Sequence, residues 1–235
     1  MKDILASLTP EKKKSDGTMT AFVYRPLSFP ASWLFLKLGF SPNAVTGISA
    51  LFCLAAFALA LLPVSACHWT AIAFFFVFAV LDCTDGNMAR TIGKKTVYGG
   101  WVDAAGGYLA YTTELFAIGL SCFFANNGAL LGYALPWGKA TWILIAAVAI
   151  SSNLLMRLFH QALKNAEIAA GLTVAPGKEK RFSEEIGITG YLPVFYAAGF
   201  ATGTLPFVLV AYTAIYAGGF AVTSLKQIRK VAKAA

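Results

Sequence analysis

From residue 43 onward the chain alternates long apolar runs with shorter polar connections. Six runs stand out, over residues 43–63, 67–89, 99–126, 138–160, 187–203 and 205–225. Each approaches the ~20 residues that a helix needs to cross a bilayer, so each predicts a membrane span. The fifth is short, and its separation from the sixth rests on the turn signals between Gly203 and Pro206. Ahead of these, Pro30 to Gly39 is apolar but covers only about half a span. Proline near its start, glycine at its end, Trp33 and Lys37 suit a helix lying in the membrane interface, and Pro42 separates it from the first span. The pattern predicts an all-α integral membrane fold, six transmembrane helices preceded by a short N-terminal interfacial helix. The expected divisions are a flexible cytoplasmic arm over 1–18, a juxtamembrane segment over 19–41 and a six-helix membrane domain over 42–235.

Composition agrees. Of the residues 58% are hydrophobic and only 13% charged, whereas soluble domains carry about one-quarter charged residues. The first residues hold no apolar core followed by a small-residue cleavage site, so no cleavable signal peptide is expected. The net charge of +8 would suit nucleic acid, but its placement points elsewhere. With the N-terminus inside, 18 of the 19 lysines and arginines fall on inner segments, and only Lys139 falls outside. The charge therefore sets topology, with both termini cytoplasmic and some attraction to anionic lipid, and no nucleic-acid partner is expected. Cys53, Cys67, Cys83 and Cys122 lie in or beside apolar runs without C-x-x-C spacing, which predicts packed thiols.

The candidate chemistry gathers between Asp82 and Gly107. Asp82 and Asp85 close the second apolar run about 60° apart around a helix and about 4.5 Å apart along it. Gly86, Ala89 and Arg90 follow, then a basic turn with Lys94 and Lys95, and Asp103 opens the third run. Carboxylates at a membrane are costly and mark a polar cavity, a partner or an ion. Hard oxygen ligands at a turn suit Mg²⁺, Mn²⁺ or Ca²⁺, and a metal beside glycines and an arginine suits a diphosphate. An ion-pair network of Asp82 or Asp85 with Arg90, holding two helices together, is the plainer reading of the same residues.

The pattern D-x-x-D-G-x-x-A-R, a spacer, then G-x-x-x-D resembles the signature of the CDP-alcohol phosphotransferases. It is carried here by Asp82, Asp85, Gly86, Ala89, Arg90, Gly99 and Asp103. Ser41 to Thr46 resembles that family's entry to its first span, which brings in Asn43 and Thr46, and the likeness covers about residues 24–225. It implies a six-span membrane enzyme that moves a phosphoalcohol from a CDP-linked donor, such as CDP-diacylglycerol, to an acceptor alcohol or phosphoalcohol, releasing CMP. It further implies Mg²⁺ or Mn²⁺ held by Asp82, Asp85 and Asp103, and a homodimer. The family's fourth aspartate, a metal ligand and the general base, should stand at residue 107, where this chain has Gly107. Glu114, the other acid of the third span, lies seven residues on, about 10.5 Å along the axis, too far to replace that ligand without a bend.

Three explanations fit Gly107: another group or water as base, an acceptor needing no deprotonation, or a CDP-binding subunit without turnover. A transporter with a coupling site at these acids is a further alternative, disfavoured because they sit at one membrane face. Several other residues carry two readings each. Glu114 could line an acceptor cavity or be a hydrogen-bonded core carboxyl. Ser151, Ser152 and Asn153 could read a head group or join helices. Arg157 could bind an acceptor phosphate or snorkel. Asn43 could shape the nucleotide cavity or cap its helix. Lys94 and Lys95 could attract phosphates or only set topology, and Arg181, in the mixed-charge loop from Gly177 to Glu185, is a second acceptor candidate. Compact loops and a basic inner face suit a prokaryotic plasma membrane with the site facing the cytoplasm.

Overall fold

A computed structural model of the protein describes residues 1–93, 96–171 and 185–232. Lys94 and Lys95, and the loop residues up to 184 including Arg181, lie outside the described residues. The chain opens with two short helices, α1 (Lys2–Ala6) and α2 (Pro10–Ser15). Thr9 caps α2, its hydroxyl accepting from the Lys12 N–H, and Pro10 fills the first position, where no N–H is needed. Ile4 and Asp16 are buried, so the stretch expected as an arm lays side chains against the rest of the protein.

A π-helical turn, Thr20–Tyr24, leads into α3 (Arg25–Lys37). The sequence placed this helix from Pro30; it begins a turn and a half earlier because Pro26 serves as its entry proline. Pro30 then falls inside the helix, where it forgoes one hydrogen bond to the Pro26 carbonyl. Gly39, at φ +79°, ends the segment, and Ser41 caps α4 (Pro42–Ala60), its hydroxyl accepting from the Ala44 N–H at 3.2 Å. Asn43 is thus not the cap and is left to face its surroundings. The fully buried Ser28 and Ser32 let α3 settle against α5 (Ser65–Thr91), Ser32 donating to the Thr84 carbonyl at 3.3 Å.

After Gly93, at φ +67°, the chain reaches α6 (Val97–Ala125), capped by Thr96. A small antiparallel hairpin, β1 (Ala129–Leu130) and β2 (Tyr133–Ala134), pairs Ala129 with Ala134 and Leu130 with Tyr133 before α7 (Ala140–Ala169). The last two helices are α8 (Leu192–Thr202) and α9 (Leu205–Ala232).

Five of these helices, α4, α5, α6, α7 and α9, are long and apolar enough to cross a membrane, which makes this an all-α integral membrane protein. The sequence expected a sixth span over 187–203, but α8 has 11 residues, about 16 Å, against a hydrocarbon core of about 30 Å. Turns take up residues 186–191, with the Tyr191 N–H donating to the Glu185 carbonyl, and Gly203, at φ +73°, stops the helix.

The central helix is α6, with 61% of its apolar window buried against 28–44% for the other four. Around it pack Phe75 and Phe78 of α5, Trp142 of α7, and Tyr196 and Leu209 of α8 and α9. Without a hydrophobic drive between helices in lipid, close backbone approach carries much of the association. Gly119 shows this: a Cβ there would stand 2.6 Å from the Cβ of Ala146 and 3.2 Å from the Trp142 carbonyl oxygen. Gly119→Ala should therefore push α6 from α7 and cost about 1–3 kcal/mol, read as a lower thermal midpoint in detergent; an unchanged midpoint would mean the pair separates freely.

Candidate active site

The C-terminal end of α5, the start of α6 and the start of α4 enclose a cavity of about 620 Å³. From α4 come Asn43 and Thr46; from α5, Asp85, Gly86, Ala89 and Arg90; from α6, Gly99, Gly100 and Asp103. Eight residues singled out from sequence thus share one wall. The approach of α4 to α6 depends on small residues: a Cβ on Gly99 would meet the Asn43 side-chain oxygen at 3.4 Å, and one on Gly106 would meet the Thr46 methyl at 3.4 Å.

Asp85 is buried and accepts a short hydrogen bond from the Thr46 hydroxyl. Asp103 is exposed to the cavity, and Asp82 lies outside its wall, one turn before Asp85. Both act electrostatically on Asp85. Among the described residues no three acidic, histidine or cysteine side chains close around a point where an ion would sit. The donor chemistry nonetheless fits a hard divalent ion, because two carboxylates share the cavity wall with a third within electrostatic reach.

Arg90 folds back over Gly86, where a Cβ would already touch its guanidinium at 3.4 Å. Among the described residues its side chain donates to the neutral Asn87 at 2.8 Å. Asn87 itself was missed from sequence, since it falls at an unassigned position between motif residues.

The remaining candidates lie elsewhere. Gly107 borders open space: a Cβ there meets nothing within 4 Å. Glu114 is fully buried in the bundle, and neither carboxylate oxygen has a hydrogen-bond partner among the described residues. It does not line the cavity. Arg157 lies over the Tyr111 ring at 4.4 Å and nearer its edge of reach over Tyr108 at 5.9 Å, and donates to Asn153 at 3.1 Å. Ser152 and Asn153 are buried, whereas Ser151 faces outward. The tyrosines beside Arg157 were not read from the sequence; their i, i+3 spacing on α6 was the available signal.

A family model described as CDP-alcohol phosphatidyltransferase matches residues 40–217, a span that includes every residue of the cavity wall named above. Among curated proteins none matches the chain.

Proposed function

The chain belongs to the CDP-alcohol phosphatidyltransferase family, and from that premise we propose that its cavity binds a CDP-linked donor and transfers the donor's phosphoalcohol to an acceptor in lipid synthesis. One observation carries the reading: Asn43, Thr46, Asp85, Gly86, Ala89, Arg90, Gly99 and Asp103 meet on one cavity from three helices. Arg90 faces the diphosphate, and the small residues let the nucleotide lie close to the backbone. Asp85 and Asp103, with Asp82 behind them, would hold Mg²⁺ or Mn²⁺. When bound, such an ion neutralises the diphosphate and the charge that develops on departing CMP.

In the transfer, an acceptor oxygen attacks the β-phosphorus, the bond from that phosphorus to the bridging oxygen breaks, and CMP leaves with the bonding pair. A hydroxyl acceptor must also give up its proton, and Gly107 offers no group to take it. Arg157, held over Tyr111 without a carboxylate on it in the described residues, suits an acceptor that brings its own phosphate. Gly107 also supports a second reading, a CDP-binding subunit that does not turn over. The same proposal carries a homodimer and a cytoplasm-facing site in a prokaryotic plasma membrane.

Titration of the protein in lipid nanodiscs with CDP tests the assignment. Binding should require Mg²⁺ or Mn²⁺ and weaken at least about tenfold in Asp85→Asn, the scale of a lost charge-assisted contact. Binding untouched by that substitution would remove the cavity from the reading.

A further inference from the structure

Arg90 is the one cationic side chain in the cavity wall among the described residues, and the group that orients it is uncharged. Its Nη2 donates to Oδ1 of Asn87 at 2.8 Å, and Nη1 of Arg25 donates to that same oxygen at 3.0 Å. Two guanidinium groups thus converge on one amide oxygen. The amide is fixed at its other end too, its Nδ2 donating to the Ser28 hydroxyl at 2.8 Å, and Asn87 and Ser28 are both fully buried.

The two arginines differ in how their charge is met. Arg25 grips Asp16 with two hydrogen bonds, Nε to Oδ2 at 2.9 Å and Nη2 to Oδ1 at 2.6 Å, and Lys12 approaches the same carboxylate at 3.3 Å. Among the described residues the direct contacts of the Asp16 carboxylate therefore go to Arg25 and Lys12, and it reaches Arg90 only through longer-range electrostatics. Among the described residues Arg90 has no ion pair, and its buried Nε has no partner there. A neutral acceptor fixes a guanidinium without cancelling its charge; a carboxylate in the same place would pair with it as an ion and neutralise it. An apolar residue would leave the half-buried Arg90 without this acceptor and the buried Arg25 with Asp16 alone.

We propose that Asn87 is a positioning residue that aims Arg90 at the phosphates of the bound nucleotide while leaving its charge intact, with Asp16 and Arg25 of the N-terminal segment bracing it. The inference rests on the reading of the cavity as a CDP site. It also gives residues 16–28, which precede the family match, a part in that site.

The test compares CDP with cytidine, by titration and competition in nanodiscs with Mg²⁺, in wild type, Asn87→Asp and Asn87→Ala. The readout is the preference for CDP over cytidine, which reports contact with phosphate and does not depend on the fraction of protein folded. Asn87→Asp keeps the anchor but cancels the charge, and should cut the preference about tenfold or more, the scale of one charge-assisted contact. Asn87→Ala keeps the charge but frees the side chain, and should cut it several-fold; it carries the test if the aspartate variant does not fold. A preference equal to wild type in the folded variants, with only the thermal midpoint lowered, would overturn the proposal and leave Asn87 a structural residue. A wild type that does not prefer CDP over cytidine would overturn the CDP reading itself, and this inference with it.

Discussion

Gly107→Asp should raise CMP release by about 10²–10⁴, the contribution of a positioned general base. Residues 103 and 107 are one helical turn apart on α6, so an aspartate at 107 would project near Asp103 on the same face. The space for it exists, because a Cβ at Gly107 meets nothing within 4 Å, and the substitution forces no repacking. The glycine is helical, with φ outside the left-handed region, so an ordinary side chain fits its backbone. Two carboxylates so close repel each other, and the pair should depend on divalent ion more steeply than wild type does. The rate is read with hydroxyl acceptors, whose proton needs a base. With acceptors that attack through a phosphate oxygen the gain should be small. An equal rate in both proteins for every hydroxyl acceptor would show that a base is already supplied by another group.

Asp16→Ala should lower the apparent thermal midpoint by about 6–20 °C. Removing one partner of a buried ion pair costs about 3–5 kcal/mol, and each kcal/mol shifts a chain of this size by about 2–4 °C. The pair is buried on both sides, with side-chain exposures of 5% for Arg25 and 3% for Asp16, so water cannot take over the lost contact. Burial opposes the charge on Arg25, and the hydrogen bonds to Asp16 together with the field of Cys83, Asp16 and Asp82 outweigh that, holding the guanidinium above its ordinary range. Without Asp16, Arg25 would be left with the neutral Asn87 oxygen alone. Replacing both partners, as Asp16→Leu with Arg25→Met, should recover most of the loss, since the uncompensated charge goes too. A double variant no more stable than Asp16→Ala would show that shape at this contact matters more than charge.

The cavity was legible because its residues are neighbours in two short stretches, Asn43–Thr46 and Asp85–Asp103, whose helical spacing places them on facing surfaces. What could not be read was their bracing. Nothing in the order of residues pairs Arg25 with Asn87, 62 positions on, or Thr18 with Glu185, whose carboxylate accepts from both the Thr18 N–H and hydroxyl. Those contacts turn a basic stretch that resembles a solvated tail into one with buried side chains.

Helix ends were misjudged where a local signal had two uses. Pro30 looked like an entry residue, but Pro26 already served. Asn43 carried two readings, cavity or cap; Ser41 takes the cap, and Asn43 lies on the cavity wall. The run at 187–203 reads as uniformly apolar, yet a turn closed within it at Gly187–Gly190 shortens α8. Hydropathy measures the apolar run and is blind to such a turn. Glu114 was visible as an acid in a span; that both its oxygens lack partners among the described residues follows only from the packing around it.

Whether the cavity is a transferase site is decided by CMP release from CDP-diacylglycerol by the purified protein in lipid, with Mg²⁺ or Mn²⁺ and a panel of phosphorylated and unphosphorylated acceptors. Wild type and Asp85→Ala would be run side by side. Metal-dependent release that needs an acceptor and is abolished by Asp85→Ala is the expected result. Release that survives Asp85→Ala, or neither release nor CDP binding in wild type, would contradict it.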